Sequence, residues 1–165
     1  MSNHIFIVSA PSGAGKSSLL KAFLNSYIGR DNFAMAVSHT TRNPRVGEKY
    51  GREYFFTNIS NFENLLKKDS FIEYAKVFKN YYGTSKAEID KLLATGKNII
   101  LEINWQGAER TRAIYRQKAK SVFILPPSLE ELRSRLETRN TDSKEVVDYR
   151  MKEAESEISH AKDYD

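Results

Sequence analysis

Short apolar runs alternate with stretches of helical spacing along most of this chain. The run from Ile5 to Val8 is apolar, rich in β-branched residues and followed by a turn, which predicts a buried strand. A helix is predicted to begin within "GKSSLLKAFL" and to continue to about Ile28. A second strand is predicted over Phe33 to Thr41. The positions expected on the buried face of the helix are Leu19, Leu20, Phe23 and Leu24.

The same alternation resumes after residue 84. Two more buried strands are predicted in "NIILEI" and "SVFIL", with a helical segment between them. Ser85 and Ser128 are each followed three residues later by Glu, so both are candidate helix caps. A last helix is predicted to begin near Asp142. Strands that alternate with helices predict an α/β fold with a parallel sheet flanked by helices.

Residues 42–84 have a different character. They open with a polar stretch that contains Pro and Gly, and Ser60 is a candidate cap for a short helix. The segment "FIEYAKVF" alternates like a strand, and "NYYGTS" is predicted to close it as a turn. We therefore expect a small mixed α/β lobe at 42–84, inserted into a core formed by residues 1–41 and 85–165.

Composition narrows the classes of protein to consider. With 165 residues the chain is long enough for one domain, and with no Cys it can form neither disulfides nor thiolate metal sites. No apolar run approaches the roughly 20 residues of a membrane span, and the N-terminus does not resemble a signal peptide. A cytoplasmic protein without a membrane partner is expected. The net charge of +5 suits a polyanionic ligand, but an ordinary solvated basic surface explains it equally well.

The segment "APSGAGKS" joins the first predicted strand to the first helix. It matches the phosphate-binding loop G-x-x-x-x-G-K-[ST], except that Ala10 replaces the first Gly. Gly13 and Gly15 allow the backbone to curl its N–H groups toward phosphate oxygens. Lys16 supplies a positive charge, and the Ser17 hydroxyl suits Mg²⁺. A Gly-rich turn that only caps a helix would explain the glycines but not the Lys-Ser pair.

A phosphate loop of this kind needs a second oxygen ligand for Mg²⁺ bound with ATP. Glu102 ends the predicted strand "NIILE", and the ends of parallel strands meet at one edge of a sheet. Glu102 is therefore the candidate metal ligand together with Ser17. The alternative for Glu102 is a solvated carboxylate at the end of a strand.

The chain as a whole resembles the guanylate kinase family, whose members transfer the γ-phosphoryl group of ATP to GMP. The resemblance extends through nearly every segment from Ile5 to about Tyr164, and the block "TTRNPRVGEKYGREY" is more specific than the phosphate loop. The other matching segments include "SAPSGAGKSS", "FIEYAKVFKNYYGTS", "LEINWQGA", "FILPPSLEELRSRLETR" and "YRMKEAESE". The resemblance implies a P-loop NTPase-type sheet, an inserted GMP-binding lobe and a helical lid at about 126–150.

The resemblance also implies a role for each matching residue. The ATP-binding residues would be Ser12, Gly13, Ala14, Gly15, Lys16, Ser17 and Ser18. The GMP phosphate would bind to Arg42, Arg45, Tyr54 and Tyr82, and the guanine to Ser38, Glu73 and Thr84. Arg135, Arg139 and Arg150 would clamp the transferred phosphoryl group from the lid, and with Lys16 and Arg42 they form the implied catalytic set.

The chemistry of these residue types agrees with the implied roles. Phosphoryl transfer depends on positioning and charge neutralisation, and Arg forks match phosphate oxygens. A carboxylate such as Glu73 can accept both the N1–H and the 2-amino group of guanine, whereas adenine offers no such pair of donors. Each side chain also has an ordinary structural alternative. Arg42 and Arg45 would be solvated loop cations, Tyr54 and Tyr82 core aromatics, Glu73 a solvent-facing carboxylate, and Arg135 a partner of Glu131.

The sequence departs from the family pattern in three places. Glu102 and Asn104 stand where members usually have an Asp pair, so any ligand role of Asn104 is open. Members also continue beyond "KDYD" with another strand and a final helix. Without that strand, the sheet is expected to have an exposed edge.

Three other functions remain as alternatives. Guanylate-kinase-like domains of scaffold proteins bind phosphorylated peptides, but their phosphate loops are eroded, whereas Gly15, Lys16 and Ser17 are intact here. A kinase for another nucleoside monophosphate would differ in the residues that contact the base. Nucleic-acid binding lacks the expected surface of aromatic and basic side chains. ATP and GMP are therefore the expected small-molecule partners.

Overall fold

The structure contains two four-stranded sheets, and the one called the large sheet here is parallel throughout. The computed structural model describes residues 3–77, 79–138 and 143–165. The elements are, in chain order, β1 Ile5–Ser9, α1 Lys16–Asn25, α2 Tyr27–Asn32, β2 Phe33–Met35, β3 His39–Thr40, β4 Phe55–Phe56, α3 Ile59–Lys67, β5 Phe71–Val77, β6 Asn80–Ser85, α4 Lys86–Leu93, β7 Asn98–Glu102, α5 Trp105–Tyr115, β8 Ala119–Phe123, α6 Leu129–Thr138 and α7 Lys144–Ser159, with short 3₁₀ turns at Arg116–Lys118 and Ala161–Asp163.

The strand order of the large sheet is β2-β7-β1-β8, with every neighbouring pair parallel. Both faces of the sheet are covered. Ile7 and Leu101 point to one face, where α4 and α5 pack through Ile89 and Ala108. Val8 points to the opposite face, where α1 packs through Leu20. The predicted parallel sheet between two helical layers is confirmed.

The predicted second strand, Phe33 to Thr41, is in fact divided between two sheets. β2 pairs with β7, and this pairing ends where the Ala36 amide donates to the Ile100 carbonyl at 2.9 Å. The chain then crosses to the smaller sheet, where β3 pairs antiparallel with β6 through His39 and Gly83. The sequence pattern did not reveal the crossing because no Pro or Gly interrupts the segment from Phe33 to Thr41.

The segment "NYYGTS", predicted as a turn, is strand β6. It pairs antiparallel with β5 from Val77↔Asn80 to Phe71↔Ser85, in a small sheet of order β4-β3-β6-β5. Gly83 suits this strand because a β-carbon there would lie 3.1 Å from the Phe62 ring and 3.0 Å from the Glu73 carbonyl oxygen. A glycine inside a strand marks such a close approach as well as a turn.

The structure also corrects three predictions about helices. α1 ends at Asn25, not near Ile28, because Ser26 is extended and its Oγ accepts from the Gly29 amide at 3.1 Å, capping α2. Leu19, predicted on the buried face of α1, is 55% exposed. Asn58, and not Ser60, caps α3, through its Oδ1 at 2.8 Å from the Asn61 amide.

The other predicted caps agree with the structure. Ser85 accepts from the Glu88 amide at 3.2 Å, and Ser128 accepts from the Glu131 amide at 3.1 Å. The last helix begins at Lys144 behind the cap Ser143; Asp142, the predicted start, lies outside the described residues. α6 and α7 share a separate apolar cluster formed by Leu132, Leu136, Val147, Met151 and Ala154.

The C-terminal residues attach to the edge of the large sheet at β8. The Tyr164 hydroxyl donates to Ser9 Oγ at 2.8 Å, and the Asp165 carboxylate accepts from the amide and hydroxyl of Ser121 at 2.8 Å each. β8 has β1 on one side and no second strand among the described residues, as expected for a sheet edge. In the described part of the chain, no helix combines the length and the apolar composition needed to cross a membrane.

Phe62 anchors α3 to the small sheet, and its replacement tests that packing. Its ring is fully buried and stacks on Phe71 and Tyr81 at centroid distances of 4.5 and 5.3 Å. We expect Phe62→Ala to lower the free energy of unfolding by about 3–5 kcal/mol, because a cavity replaces the ring. Urea unfolding followed by circular dichroism measures this, with Phe62→Leu as the milder control. A loss below about 1 kcal/mol for Phe62→Ala would contradict this account of the packing.

Candidate active site

The loop between β1 and α1 is curled at its glycines. Gly13 and Gly15 have φ values of 93° and 95°, in the left-handed region that favours glycine. The curl is closed by a hydrogen bond from the Ala14 amide to the Pro11 carbonyl at 3.1 Å. Lys16 is the first residue of α1, so the positive end of the helix dipole faces the same space as the loop.

Lys16, Ser17 and Glu102 meet at one edge of the large sheet. Lys16 Nζ lies 2.9 Å from Glu102 Oε1, and the Ser17 hydroxyl donates to the same oxygen at 2.8 Å. The pairing of β1 with β7 sets Glu102 opposite Val8, so the two strands deliver the loop and the carboxylate side by side. A hydroxyl and a carboxylate oxygen are suitable donors for Mg²⁺. No group of three His, Cys, Asp or Glu in the described residues forms a further metal site.

A second cationic cluster lies on the small sheet. Arg42 Nη2 is 2.9 Å from both carboxylate oxygens of Glu48, and the Arg42 side chain is only 16% exposed. The Arg42 guanidinium carbon lies 5.5 Å from the centre of the Tyr54 ring, which meets Tyr82 edge-on at 5.8 Å. Arg42 is thus a positioned side chain. Arg45, predicted to bind the same phosphate, is exposed and donates its backbone amide to Glu48 at 2.7 Å.

Ser38, Glu73 and Thr84 form one chain of hydrogen bonds. Glu73 Oε1 accepts from the Thr84 amide at 3.0 Å and from the Thr84 hydroxyl at 2.8 Å. The Thr84 hydroxyl lies 2.9 Å from the hydroxyl of Ser38. Glu73 is only 6% exposed, so it is not the solvent-facing carboxylate that the alternative would require.

Burial and neighbouring charges change the acidity of three of these groups. Burial raises the pKa of Glu73, and the hydrogen bonds from Thr84 oppose that rise. Burial also raises the pKa of the Tyr54 hydroxyl, helped by the Glu102 carboxylate. The Arg45 amide, and then the Arg42 guanidinium, lower the pKa of Glu48.

One cleft of about 530 Å³ is lined by residues of the loop and of the small sheet, but Arg42, Arg45 and Thr84 are not among them. From the loop it is lined by Ser12, Gly13, Gly15, Lys16, Ser17 and Ser18, and from the small sheet by Ser38, Tyr54, Glu73 and Tyr82. Glu102, Asn104 and Glu157 also line it. The sheet edge, the loop and the small sheet therefore enclose one shared space.

Comparisons with known proteins identify the family. A family model described as guanylate kinase matches residues 2–165. A guanylate kinase of Francisella tularensis subsp. holarctica (strain OSU18) is 73% identical over 165 residues, which is all of this chain and 87% of that protein. A guanylate kinase of Escherichia coli (strain K12) is 50% identical over 161 residues, covering 98% of this chain and 77% of that protein.

A solved structure agrees with these matches. The crystal structure of guanylate kinase from Anaplasma phagocytophilum superposes with a TM-score of 0.74 at 34% identity, over 99% of this chain and 74% of that chain. This chain belongs to the guanylate kinase family. It is accordingly an ATP:GMP phosphotransferase, a nucleoside monophosphate kinase that gives ADP and GDP.

The structure shows different amounts of detail for the three predicted lid arginines. Arg135 on α6 donates through Nη1 to the Ala14 carbonyl at 3.4 Å, so it contacts the phosphate loop. Arg135 Nε also donates to Glu131 at 2.8 Å, which is the pairing named as its structural alternative. Arg150 lies on α7, and Arg139 lies outside the described residues.

Sequence reasoning missed several residues of this site. Glu48 holds Arg42, and Glu157 lines the cleft from α7, where burial raises the pKa of its carboxyl and the charge of Lys16 opposes that rise. Asn104, left open as a ligand, accepts from the Gly107 amide at 2.9 Å and so caps α5. The position of Asn104 directly before a helical segment was the only signal in the sequence. The contacts of Glu48 and Glu157 depend on the fold and leave no pattern in the sequence.

The raised pKa of the buried Glu73 carboxyl predicts how the free energy of unfolding changes with pH. Because its pKa is raised, the folded chain holds this proton more tightly than the unfolded chain. Stability is therefore lost as the pH rises from the ordinary glutamate value through the raised one. We expect the free energy of unfolding of Glu73→Gln, relative to the native chain, to increase over that interval.

Urea unfolding at several pH values between about 4 and 8 measures the difference. Glu109→Gln, an exposed neighbour on α5, is the matched control and should follow the native pH dependence. Parallel curves for the native chain and Glu73→Gln would show that Glu73 carries no burial cost.

Proposed function

We propose that the cleft holds ATP at the glycine loop and GMP at the small sheet, so that the phosphoryl group passes between them. One observation carries this proposal: a single cleft is lined by Lys16 and Ser17 on one side and by Glu73 and Tyr82 on the other. In this view the large sheet and its helices form the ATP-binding core, and residues 42–84, together with strand β3 just before them, form the lobe that binds GMP.

The ATP half of the proposal uses the loop from Ser12 to Ser18. The backbone N–H groups of Ser12, Gly13, Ala14, Gly15, Ser17 and Ser18 surround the phosphates, and Lys16 neutralises their charge. Ser17 and Glu102 would hold Mg²⁺, and phosphate oxygens and water would supply its other ligands. Bound Mg²⁺ would neutralise charge on the terminal phosphates. Lys16, which pairs with Glu102 in this structure, would turn to the phosphates when ATP binds.

The GMP half of the proposal uses the two clusters of the small sheet. Arg42, Arg45, Tyr54 and Tyr82 would bind the phosphate of GMP. Glu48 already orients the Arg42 guanidinium, which lowers the entropy lost when the phosphate binds. For the base, Thr84 engages only Oε1 of Glu73, which leaves Oε2 for the donors of guanine. Ser38 and Thr84 would complete the contacts to the base.

The reaction itself needs little covalent help from the protein. A phosphate oxygen of GMP attacks the γ-phosphorus, the bond to the β,γ-bridging oxygen breaks, and ADP leaves with that oxygen. Arg135, Arg139 and Arg150 would neutralise the charge on the transferred group, with Lys16 and Arg42 at its two sides. Arg135 would exchange Glu131 for the phosphoryl group as the lid closes.

Loss of the Lys16 charge tests the ATP half. We expect Lys16→Ala to lower kcat by at least about 100-fold, because a fixed cation no longer stabilises the transition state. Thermal unfolding should remain close to that of the native chain. Lys21→Ala removes an exposed lysine from the same helix and is the matched control. A near-normal kcat for Lys16→Ala in a coupled ADP-release assay would refute the assignment of the loop.

Base choice tests the GMP half. We expect GMP and dGMP to be good acceptors and AMP, CMP and UMP to be poorer by about 10⁴-fold in kcat/KM, because a mismatched base leaves Glu73 unpaired in a buried pocket. Glu73→Gln should lose GMP activity chiefly through kcat/KM, since its amide group would face a guanine donor. Similar kcat/KM values for GMP and AMP in the native enzyme would overturn the role given to Glu73.

A further inference from the structure

Gly107 on α5 lies so close to the Glu73 side chain that a β-carbon would fit only if Glu73 shifted by a few tenths of an ångström. A β-carbon at Gly107 would be 3.0 Å from Glu73 Cγ, 3.1 Å from Oε2 and 3.2 Å from Cβ. Gly107 has ordinary helical geometry without a positive φ, so its backbone does not require glycine. In a helix, alanine is more favourable than glycine by about 1 kcal/mol. The contact with Glu73 is therefore the feature of this position that disfavours a side chain.

The backbone of Gly107 cannot easily move away from Glu73. Its amide donates to the Asn104 side chain at 2.9 Å, and its carbonyl accepts from the Thr111 hydroxyl at 2.8 Å. Thr111 and Ala108 are fully buried on the same helix. The strand end at β7 and the buried face of α5 thus hold this turn of the helix in place.

Thr84 on β6 also restrains the carboxyl of Glu73. Its Oε1 accepts two hydrogen bonds from Thr84, so a shift of the carboxyl away from α5 would lengthen or break them. Thr84 is itself only 1% exposed and is hydrogen-bonded to Ser38. A methyl group at position 107 would therefore displace Oε2, the oxygen that Thr84 does not engage.

We propose that Gly107 is a positioning residue for base recognition, because the absence of its side chain sets where Oε2 of Glu73 meets the base. This inference rests on the proposed role of Glu73 in binding guanine. It adds a specificity determinant on α5, an element of the large-sheet core, to a base-binding site otherwise built on the small sheet. Asn104 contributes indirectly, since its cap fixes the turn that carries Gly107.

The direct test is Gly107→Ala. We expect kcat/KM for GMP to fall by about 10-fold or more, with KM for ATP unchanged, because only the base contact is displaced. The preference for GMP over IMP, which lacks the 2-amino group, should shrink. Gln106→Ala introduces alanine at the exposed preceding position of the same helix and is the control for helix propensity. Gln106→Ala should leave kcat/KM for GMP and the preference for GMP over IMP unchanged.

A double-mutant cycle with Glu73→Ala distinguishes positioning from a general structural effect. If Gly107 acts through Glu73, adding Gly107→Ala to Glu73→Ala should cause little further loss of kcat/KM for GMP. The midpoint of thermal unfolding provides a second cycle. Any destabilisation by Gly107→Ala should be relieved in the double variant, where the smaller side chain leaves room for the methyl group.

The outcomes separate this inference from the proposed function. An equal loss from Gly107→Ala in both backgrounds, or a native GMP preference in Gly107→Ala while Glu73→Ala is impaired, would overturn the inference and leave the role of Glu73 intact. A folding defect that Glu73→Ala does not relieve would overturn it as well. A native preference for GMP over IMP in Glu73→Ala would instead refute the role of Glu73 itself.

Discussion

The parallel pairing of β1 with β7 is the constraint on which this site depends. Because the two strands run in the same direction and in a register that sets Val8 opposite Glu102, both end at the same edge of the sheet. The phosphate loop follows β1, and Glu102 and the helix cap Asn104 lie at the end of β7. Polar groups at strand ends in such sheets lie outside the apolar layers, where a ligand can reach them.

Three of the cations that the proposal assigns to phosphate have carboxylate partners in this structure. Lys16 pairs with Glu102, Arg42 with Glu48 and Arg135 with Glu131. These pairs compensate the charge of the three cations in this structure. On the proposed function, nucleotide phosphates replace Glu102 at Lys16 and Glu131 at Arg135, whereas Glu48 continues to orient Arg42 when the phosphate of GMP binds.

The base site works by a different principle, since Thr84 binds one oxygen of the Glu73 carboxyl and leaves the other for the ligand. Burying a carboxyl costs free energy unless its oxygens are hydrogen-bonded, and Thr84 satisfies only Oε1 of Glu73. A base with two adjacent donors restores the missing bonds, whereas a base with an acceptor there does not. The restraint of Glu73 between Thr84 and Gly107 gives this discrimination a fixed geometry.

The sequence by itself was sufficient for the alternation of strands and helices, the phosphate loop and the caps Ser85 and Ser128, because these depend on neighbours a few residues apart. It also carried the family resemblance, which the comparisons confirm. Glu102 could be proposed as a partner of Ser17 because one general rule about parallel strands connects them.

Only the tertiary structure decided where Phe33 to Thr41 divides between two sheets and that "NYYGTS" is a strand. It likewise decided that Glu48 holds Arg42 and that Gly107 faces Glu73. These features depend on contacts between elements that are set by sheet pairing and helix packing. A glycine looks the same in a sequence whether it permits a turn or makes room for a carboxyl, and only the neighbour across the fold distinguishes the two.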